Sequence, residues 1–329
     1  MANTDTLPNF FIVGAAKSGS TSLHHYLGQH PQVFCSSMKE PNYFLFEGYP
    51  LENDNVEPKH QSFYRRLMEK STTTAEDYLA LFDGVTDEKA IGEASASYLG
   101  DASVPARIHQ AIPHAKLIVV LRNPITRAFS HYRQHIRHGR TNESFMRLIR
   151  QEEKDLSKDV VHWALPYYLR YGLYYRHLTN YLRSFDRSQV KIFLYEDLQA
   201  DPIGLIQDTF RFLDVNDLFR ANISETLNSD YSVPKNRVLR TLLTSTPAKT
   251  RAHLRRMSPA ALLNWYHRKK RDFVKPQCPP KEWRALASIF REDVTKLQDL
   301  IQRDLSSWLS TEASPLTSQT MSFHRQKVA

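Results

Sequence analysis

The chain has 329 residues, 44 Lys plus Arg against 35 Asp plus Glu, 41% hydrophobic residues and a formal net charge of +9. That length holds one large or two small domains with a sizeable core, and the composition excludes a disordered or fibrous chain. The only cysteines, Cys35 and Cys278, exclude a disulfide scaffold and a cysteine-rich metal site.

Residues 9–14 form a short apolar run, rich in β-branched and aromatic side chains, that predicts a buried strand. It leads through a loop into a helix over 21–27, and 32–34 predicts a second short strand. Residues 47–75 are polar and punctuated by Pro50, Asn53, Asp54 and Asn55, which predicts an irregular excursion. A helix is expected at 75–82, a strand at 90–93, a helix at 104–111 and the strongest strand of the chain at 116–121. Pro124 suits the first turn of a helix running to about 138. Residues 172–184 predict a helix, 189–195 a fifth strand, and 202–213 and 281–303 further helices, with the ordered part ending near Trp308. This alternation predicts an α/β fold of three layers, a central parallel sheet flanked by helices, in a single domain over 9–308. Residues 1–8 are expected to be flexible and 309–329 to be a disordered tail. The N-terminus lacks the basic and apolar regions of a secretory leader, and no stretch reaches the ~18–20 apolar residues of a membrane span, so the expectation is a soluble, cytoplasmic protein.

Lys17-Ser18-Gly19-Ser20-Thr21-Ser22 stands between the first strand and its helix, where loop amides and a helix N-terminus converge on one point and suit an anion. Gly19 permits close backbone approach, the hydroxyls supply donors and Lys17 supplies a mobile charge. The plainer reading is an ordinary capped helix start. The nucleotide P-loop pattern Gly-x-x-x-x-Gly-Lys-Ser/Thr is absent, and the strand at 116–121 ends in Arg122, where an ATPase commonly places a metal-binding Asp. Both departures point to a metal-free site for a nucleotide with several phosphate groups. Ligands of a parallel sheet gather at the carboxyl ends of its strands, so Arg122 and Lys17 should face one crevice. Arg122 offers a planar fork suited to phosphate, and Ser130, two turns into the next helix, should join it. Arg127 and Arg133 read as solvated helix charges, and His24 and His25 as structural.

These two segments resemble the co-substrate signatures of sulfotransferases that use 3′-phosphoadenosine 5′-phosphosulfate (PAPS). The resemblance extends through Lys39-Glu40-Pro41-Asn42-Tyr43-Phe44, Gly92-Glu93-Ala94-Ser95-Ala96-Ser97-Tyr98, Tyr195-Glu196-Asp197-Leu198-Gln199-Ala200-Asp201-Pro202 and Arg303-Asp304-Leu305-Ser306-Ser307-Trp308. It covers 9–308, and its Lys-Glu-Pro block resembles the carbohydrate branch, related to heparan sulfate sulfotransferases. It implies that Lys17, Ser18, Gly19, Ser20, Thr21 and Ser22 cradle the 5′-phosphosulfate. Arg122 and Ser130 would hold the 3′-phosphate, and Lys235 and Arg237 would close on the donor. Glu40 would be the general base and Lys17 would stabilise the departing phosphate, leaving 3′-phosphoadenosine 5′-phosphate (PAP) with no metal required.

The implied acceptor is a hydroxyl of a carbohydrate or glycoconjugate, held between 40–75 and 140–170, with Lys39, Glu93 and Ser97 as contacts. Two departures weaken a heparan-like acceptor: Leu45 stands where such enzymes often carry an acid, and Ala94 where some relatives have a substrate-contacting Lys. A lipid or small-molecule alcohol therefore stays open.

A reading of another class is a basic membrane- or polyanion-binding protein. Twelve Lys or Arg fall in 231–275 against one acid, Asp272, so that segment carries +11 and the rest of the chain −2. Apolar residues interleave with basic ones over 249–275, which suits peripheral contact with anionic lipid or an ordinary surface helix. No nucleic-acid-binding module is recognisable, so no nucleic-acid partner is expected. Oligomeric state is not legible.

Overall fold

Five strands, β1 (Phe10–Gly14), β2 (Val33–Cys35), β3 (Ala90–Ala94), β4 (Lys116–Leu121) and β5 (Val190–Leu194), make a wholly parallel sheet in the order β2-β3-β1-β4-β5. They were resolved in a computed structural model that describes residues 7–54, 56, 58–137, 140–156, 167–224, 233–234, 273–274 and 277–310. The described helices are α1 (Ser20–Leu27), α2 (Tyr43–Phe46), α3 (Pro58–Met68), α4 (Ala75–Leu79), α5 (Val104–Ala111), α6 (Pro124–Arg137), α7 (Phe145–Lys154), α8 (Tyr174–Ser184), α9 (Tyr195–Ala200), α10 (Pro202–Phe212), α11 (Pro280–Ile301) and α12 (Ser306–Leu309). Two further short strands, β6 (Val233–Pro234) and β7 (Phe273–Val274), pair antiparallel. The expected three-layer α/β architecture is the observed one.

The central strands carry no polar face because helices cover both sides of the sheet. Phe11, Val13, Leu117, Val119 and Leu121 point to one side and pack with Tyr174, Leu178 and Tyr181 of α8 and Phe290 and Val294 of α11. Phe10, Ile12, Ile118 and Val120 point to the other and meet Leu23 and Leu27 of α1 and Leu205, Ile206 and Phe210 of α10. In α11 the buried Leu286, Ala287, Phe290, Val294 and Leu297 recur at helical spacing, so one stripe faces the sheet. Asp201 caps α10 by accepting from the Gly204 N–H at 2.9 Å, and Pro202 opens that helix.

The chain departs from its sequence reading in two stretches. Residues 47–75 contain α3, whose Tyr64 and Met68 are buried and whose Phe63 and Leu67 pack against the core. The Pro and Asn cluster before Pro58 masked that four-residue spacing. The stretch 140–170 contains α7, which buries Phe145, Ile149 and Glu152. Its inward pattern was obscured because one of the three is a carboxylate. Lys235 and Arg237 lie outside the described residues, as does 249–275 apart from β7. No helix among the described residues is long and apolar enough to cross a membrane.

Candidate active site

The carboxyl ends of β1, β3 and β4 bring three segments to one edge of the sheet, where a parallel α/β fold leaves its crevice. The loop after β1 is anchored by the Ala15 N–H donating to the Val120 carbonyl at 2.8 Å. Lys17 and Gly19 both take left-handed backbone, φ 73° and 97°. Gly19 is favoured by its φ of 97°, which would strain any residue with a Cβ. The first intrahelical donor of α1 is Leu23, bonded to the Gly19 carbonyl at 3.1 Å, so the N–H groups of Ser20, Thr21 and Ser22 precede the helix's own ladder. The Ser18 hydroxyl is buried and has no hydrogen-bond partner among the described residues. A buried hydroxyl and open helix-start amides fit an anion's oxygens.

The electrostatics of the loop point the same way. Burial first, then the positive charges of Arg122, Arg127, Lys39 and Arg133, push the Lys17 ammonium down to about 8. Four cations crowd one amine, and an arriving anion relieves them all. Arg122, at the end of β4, donates from Nη1 to the Lys17 carbonyl at 3.1 Å and from Nε to Thr126 at 3.0 Å. Its guanidinium lies over the Tyr195 ring, 4.7 Å from the centroid.

The backbone around Arg122 is held from a distance. Tyr174 donates to the Arg122 carbonyl at 2.9 Å, and Asn123 donates to the Trp308 carbonyl at 3.1 Å. Trp308 also donates to Glu196 at 3.1 Å, and Arg303 grips Asp197 through both carboxylate oxygens. The last two motifs of the sequence therefore clasp each other behind Arg122. Ser130 is half-buried on α6, two turns beyond Arg122.

Arg127 corrects the sequence reading, which left it in solvent. It is completely buried; its Nη2 donates to the Tyr168 carbonyl, while Nε and Nη1 have no partner among the described residues. Arg133 is half-buried too, and burial together with Arg122 lowers its guanidinium to about 10. Both lie on the inner side of α6, whose inward position the sequence pattern did not reveal. Both add to the positive field at Lys17, Arg127 from the interior and Arg133 from a half-buried position.

Glu40 occupies the turn between β2 and α2 in left-handed backbone, φ 61°, and its N–H donates to the Ala94 carbonyl at 2.9 Å. Its carboxylate is held at both oxygens. Oε1 pairs with the Lys39 ammonium at 2.6 Å, and Oε2 accepts the Ala96 N–H at 3.0 Å. The side chain remains 39% exposed, so it is fixed and still open to a ligand. His24 is kept neutral, pushed down to about 4 by burial and by Lys39, and its Nε2 is buried without a partner among the described residues.

Glu93 differs from its expected place on the acceptor cleft: it is completely buried. Ser95 donates to its Oε2 at 2.6 Å, and Tyr98 and Tyr78 donate to Oε1 at 2.7 and 3.3 Å. Ser95 in turn accepts the Asn42 N–H at 3.0 Å, and Asn42 Nδ2 donates to the Glu40 carbonyl at 2.7 Å. Ser97 donates to Asn42 Oδ1. Glu93 thus supports the turn that carries Glu40 from below. Asn42 and Ser95 are the linking residues that sequence reasoning missed, although both stood inside motifs already singled out.

Burial raises the Glu93 carboxyl to about 7 from 4.5, and the Glu40 charge adds to the shift. The folded state therefore keeps a proton that the unfolded chain releases above pH 4.5. Stability is expected to fall with rising pH between about 5 and 6.5, by about 1.4 kcal/mol per pH unit from this group. Glu93→Gln should remove that slope in urea unfolding measured at pH 5, 6 and 7. An unchanged slope would show that Glu93 is already ionised at pH 5.

A buried hydroxyl and helix-start amides at the end of a parallel sheet, a positive field and a fixed carboxylate suit a group-transfer enzyme. The chain belongs to the sulfotransferase family, whose model matches residues 8–220. It is 30% identical to a sulfotransferase from Alicyclobacillus acidocaldarius of known crystal structure, with a TM-score of 0.67 over 92% of this chain and 99% of that one. It is 33% identical over 205 residues to the heparan sulfate glucosamine 3-O-sulfotransferase 6 of Mus musculus, covering 61% of this chain and 51% of that protein. It is 28% identical over 225 residues to the bifunctional heparan sulfate N-deacetylase/N-sulfotransferase of Drosophila melanogaster, covering 66% of this chain and 20% of that protein. The chain thus spans from a fifth to about half the length of these curated relatives.

Proposed function

We propose that the chain moves the sulfuryl group of PAPS to a hydroxyl of a carbohydrate or glycoconjugate, with Glu40 as general base. The observation that carries this reading is the convergence of the Lys17 loop, Arg122 and Glu40 on one end of the sheet. The carbohydrate acceptor draws its support from the heparan sulfate enzymes among the relatives.

Sulfuryl transfer, like phosphoryl transfer, is an in-line displacement in which positioning and charge supply most of the catalysis. Lys17, Ser18, Gly19, Ser20, Thr21 and Ser22 would hold the 5′-phosphosulfate, with the buried Ser18 hydroxyl and the helix-start amides meeting its oxygens. Arg122 and Ser130 would hold the 3′-phosphate. Lys235 and Arg237, outside the described residues, complete the proposed donor site. Glu40 takes the acceptor's proton as the new O–S bond forms. Lys17 meets the charge that develops on the phosphate as the old S–O bond breaks, so the reading assigns no role to a metal ion. Lys39 positions the Glu40 carboxylate, and Ser97 faces the acceptor.

Calorimetric titration with PAP in the absence of magnesium tests the donor site. Wild type should bind, and Arg122→Ala should weaken binding about ten- to a hundredfold, the usual effect of losing a hydrogen bond to a charged group. Absence of binding, or an affinity indifferent to Arg122→Ala, would remove the reading.

A further inference from the structure

A cavity of about 130 Å³ is lined in part by Asn42 and Ser97, whose chain neighbours hold the Glu40 turn. One wall is apolar: Leu45 and Phe46 come from α2, and Phe63 and Leu67 from α3. The side toward the carboxylate is Asn42 and Ser97. Asn42 donates to the Glu40 carbonyl at 2.7 Å, and Ser97 directly follows Ala96, whose N–H holds Glu40 Oε2 at 3.0 Å. An acceptor that presents a hydroxyl to Glu40 therefore carries its neighbouring atoms into this cavity.

The polar part of the lining is Asn42, Ser97, His131, His135, Arg140 and Tyr171, and it contains no carboxylate. Arg140 lies with its guanidinium over the Phe63 ring, 5.4 Å from the centroid. His131 Nδ1 is buried and has no hydrogen-bond partner among the described residues, and burial keeps that ring neutral. A polyanionic chain would meet one standing cation and four apolar side chains here. Leu45 is also the position at which the resemblance to heparan-type enzymes lapses.

Resting on the sulfuryl-transfer reading of the same site, we propose that the acceptor is an amphipathic alcohol, a sugar or other polyol bearing an alkyl or aryl group that fills this cavity. Its apolar part packs on Leu45, Phe46, Phe63 and Leu67, and an oxygen atom beside it meets Arg140.

Labelled PAPS and a series of methyl, butyl, hexyl and octyl β-D-glucosides test this. kcat/KM should rise about fourfold for each added methylene over the first few carbons, the gain expected from burying each one. Phe63→Ala and Leu67→Ala, each truncating a partly exposed side chain, should flatten the series while PAP affinity is retained. A flat series in wild type, undetectable transfer included, overturns the proposal, as does a preference for an unsulfated heparosan oligosaccharide over octyl glucoside. PAP titration of the same sample separates the two failures. Retained PAP binding with a flat series overturns the acceptor assignment alone; lost PAP binding overturns the sulfotransferase site as well.

Discussion

Replacing Glu40 with glutamine is expected to lower kcat about a thousandfold, within the range that loss of a general base produces, while PAP affinity stays within about twofold. The carboxylate satisfies two donors with its two oxygens, Lys39 at 2.6 Å and the Ala96 N–H at 3.0 Å. An amide of the same shape has one oxygen and no negative charge, so it keeps one donor and takes no proton from an acceptor. The donor loop after β1 does not contact Glu40 in any bond described above, which is why donor affinity should survive. Single-turnover transfer with saturating PAPS separates the two effects. A kcat within threefold of wild type would remove Glu40 from the chemistry and leave it as a structural turn residue.

Lys17→Ala should be nearly as damaging, for a different reason. An ammonium aimed at developing charge contributes about a hundred- to a thousandfold in kcat when removed from a preorganised site. PAP affinity should fall as well, because the proposed site has Lys17 meeting the phosphate already in the ground state. The depressed Lys17 value makes a second, sharper expectation. The free ammonium titrates near 8, held down by burial and the surrounding cations, and a bound phosphate reverses that balance. Below about pH 8 Lys17 is charged before and after binding, and no proton moves. Above it, binding must first restore the proton, so affinity falls by up to about tenfold per pH unit and PAP binding takes up a proton. Calorimetry at pH 8.5 in buffers of different ionisation enthalpy reads that uptake, which should vanish in Lys17→Ala. Identical heats in both buffers for wild type would place the phosphate away from Lys17.

The strand–loop–helix at 10–27 and the strand ending before Arg122 were legible because they are local. A buried strand, a small-residue loop and a helix start occupy 10–27, and Arg122 closes the one strand that reads most strongly. Each signal lies within a few residues, so periodicity and loop composition suffice. Helices α3 and α7, beside the proposed acceptor, were not legible. Helix α3 was hidden by the turn residues before it, and α7 by a buried Glu152, which accepts the N–H groups of Tyr168, Leu169 and Arg170 at 2.7, 2.9 and 2.6 Å. Its burial depends on a loop sixteen residues later, so no pattern within the helix announces it.

Taken alone, the sequence determined the five strands, most of the helices between them and the parallel α/β sheet, because those follow from short-range hydrophobic period and backbone preference. Only the tertiary structure decided which polar groups became interior. Arg127 looked like a surface charge and is a buried one. Glu93 looked like a cleft residue and instead braces the Glu40 turn through Ser95 and Asn42, 53 residues apart in the chain. Arg303 reaches Asp197 across 106 residues to hold the segment behind Arg122. Burial of a polar group is a property of everything that folds over it, and a one-dimensional pattern does not record what arrives from elsewhere in the chain.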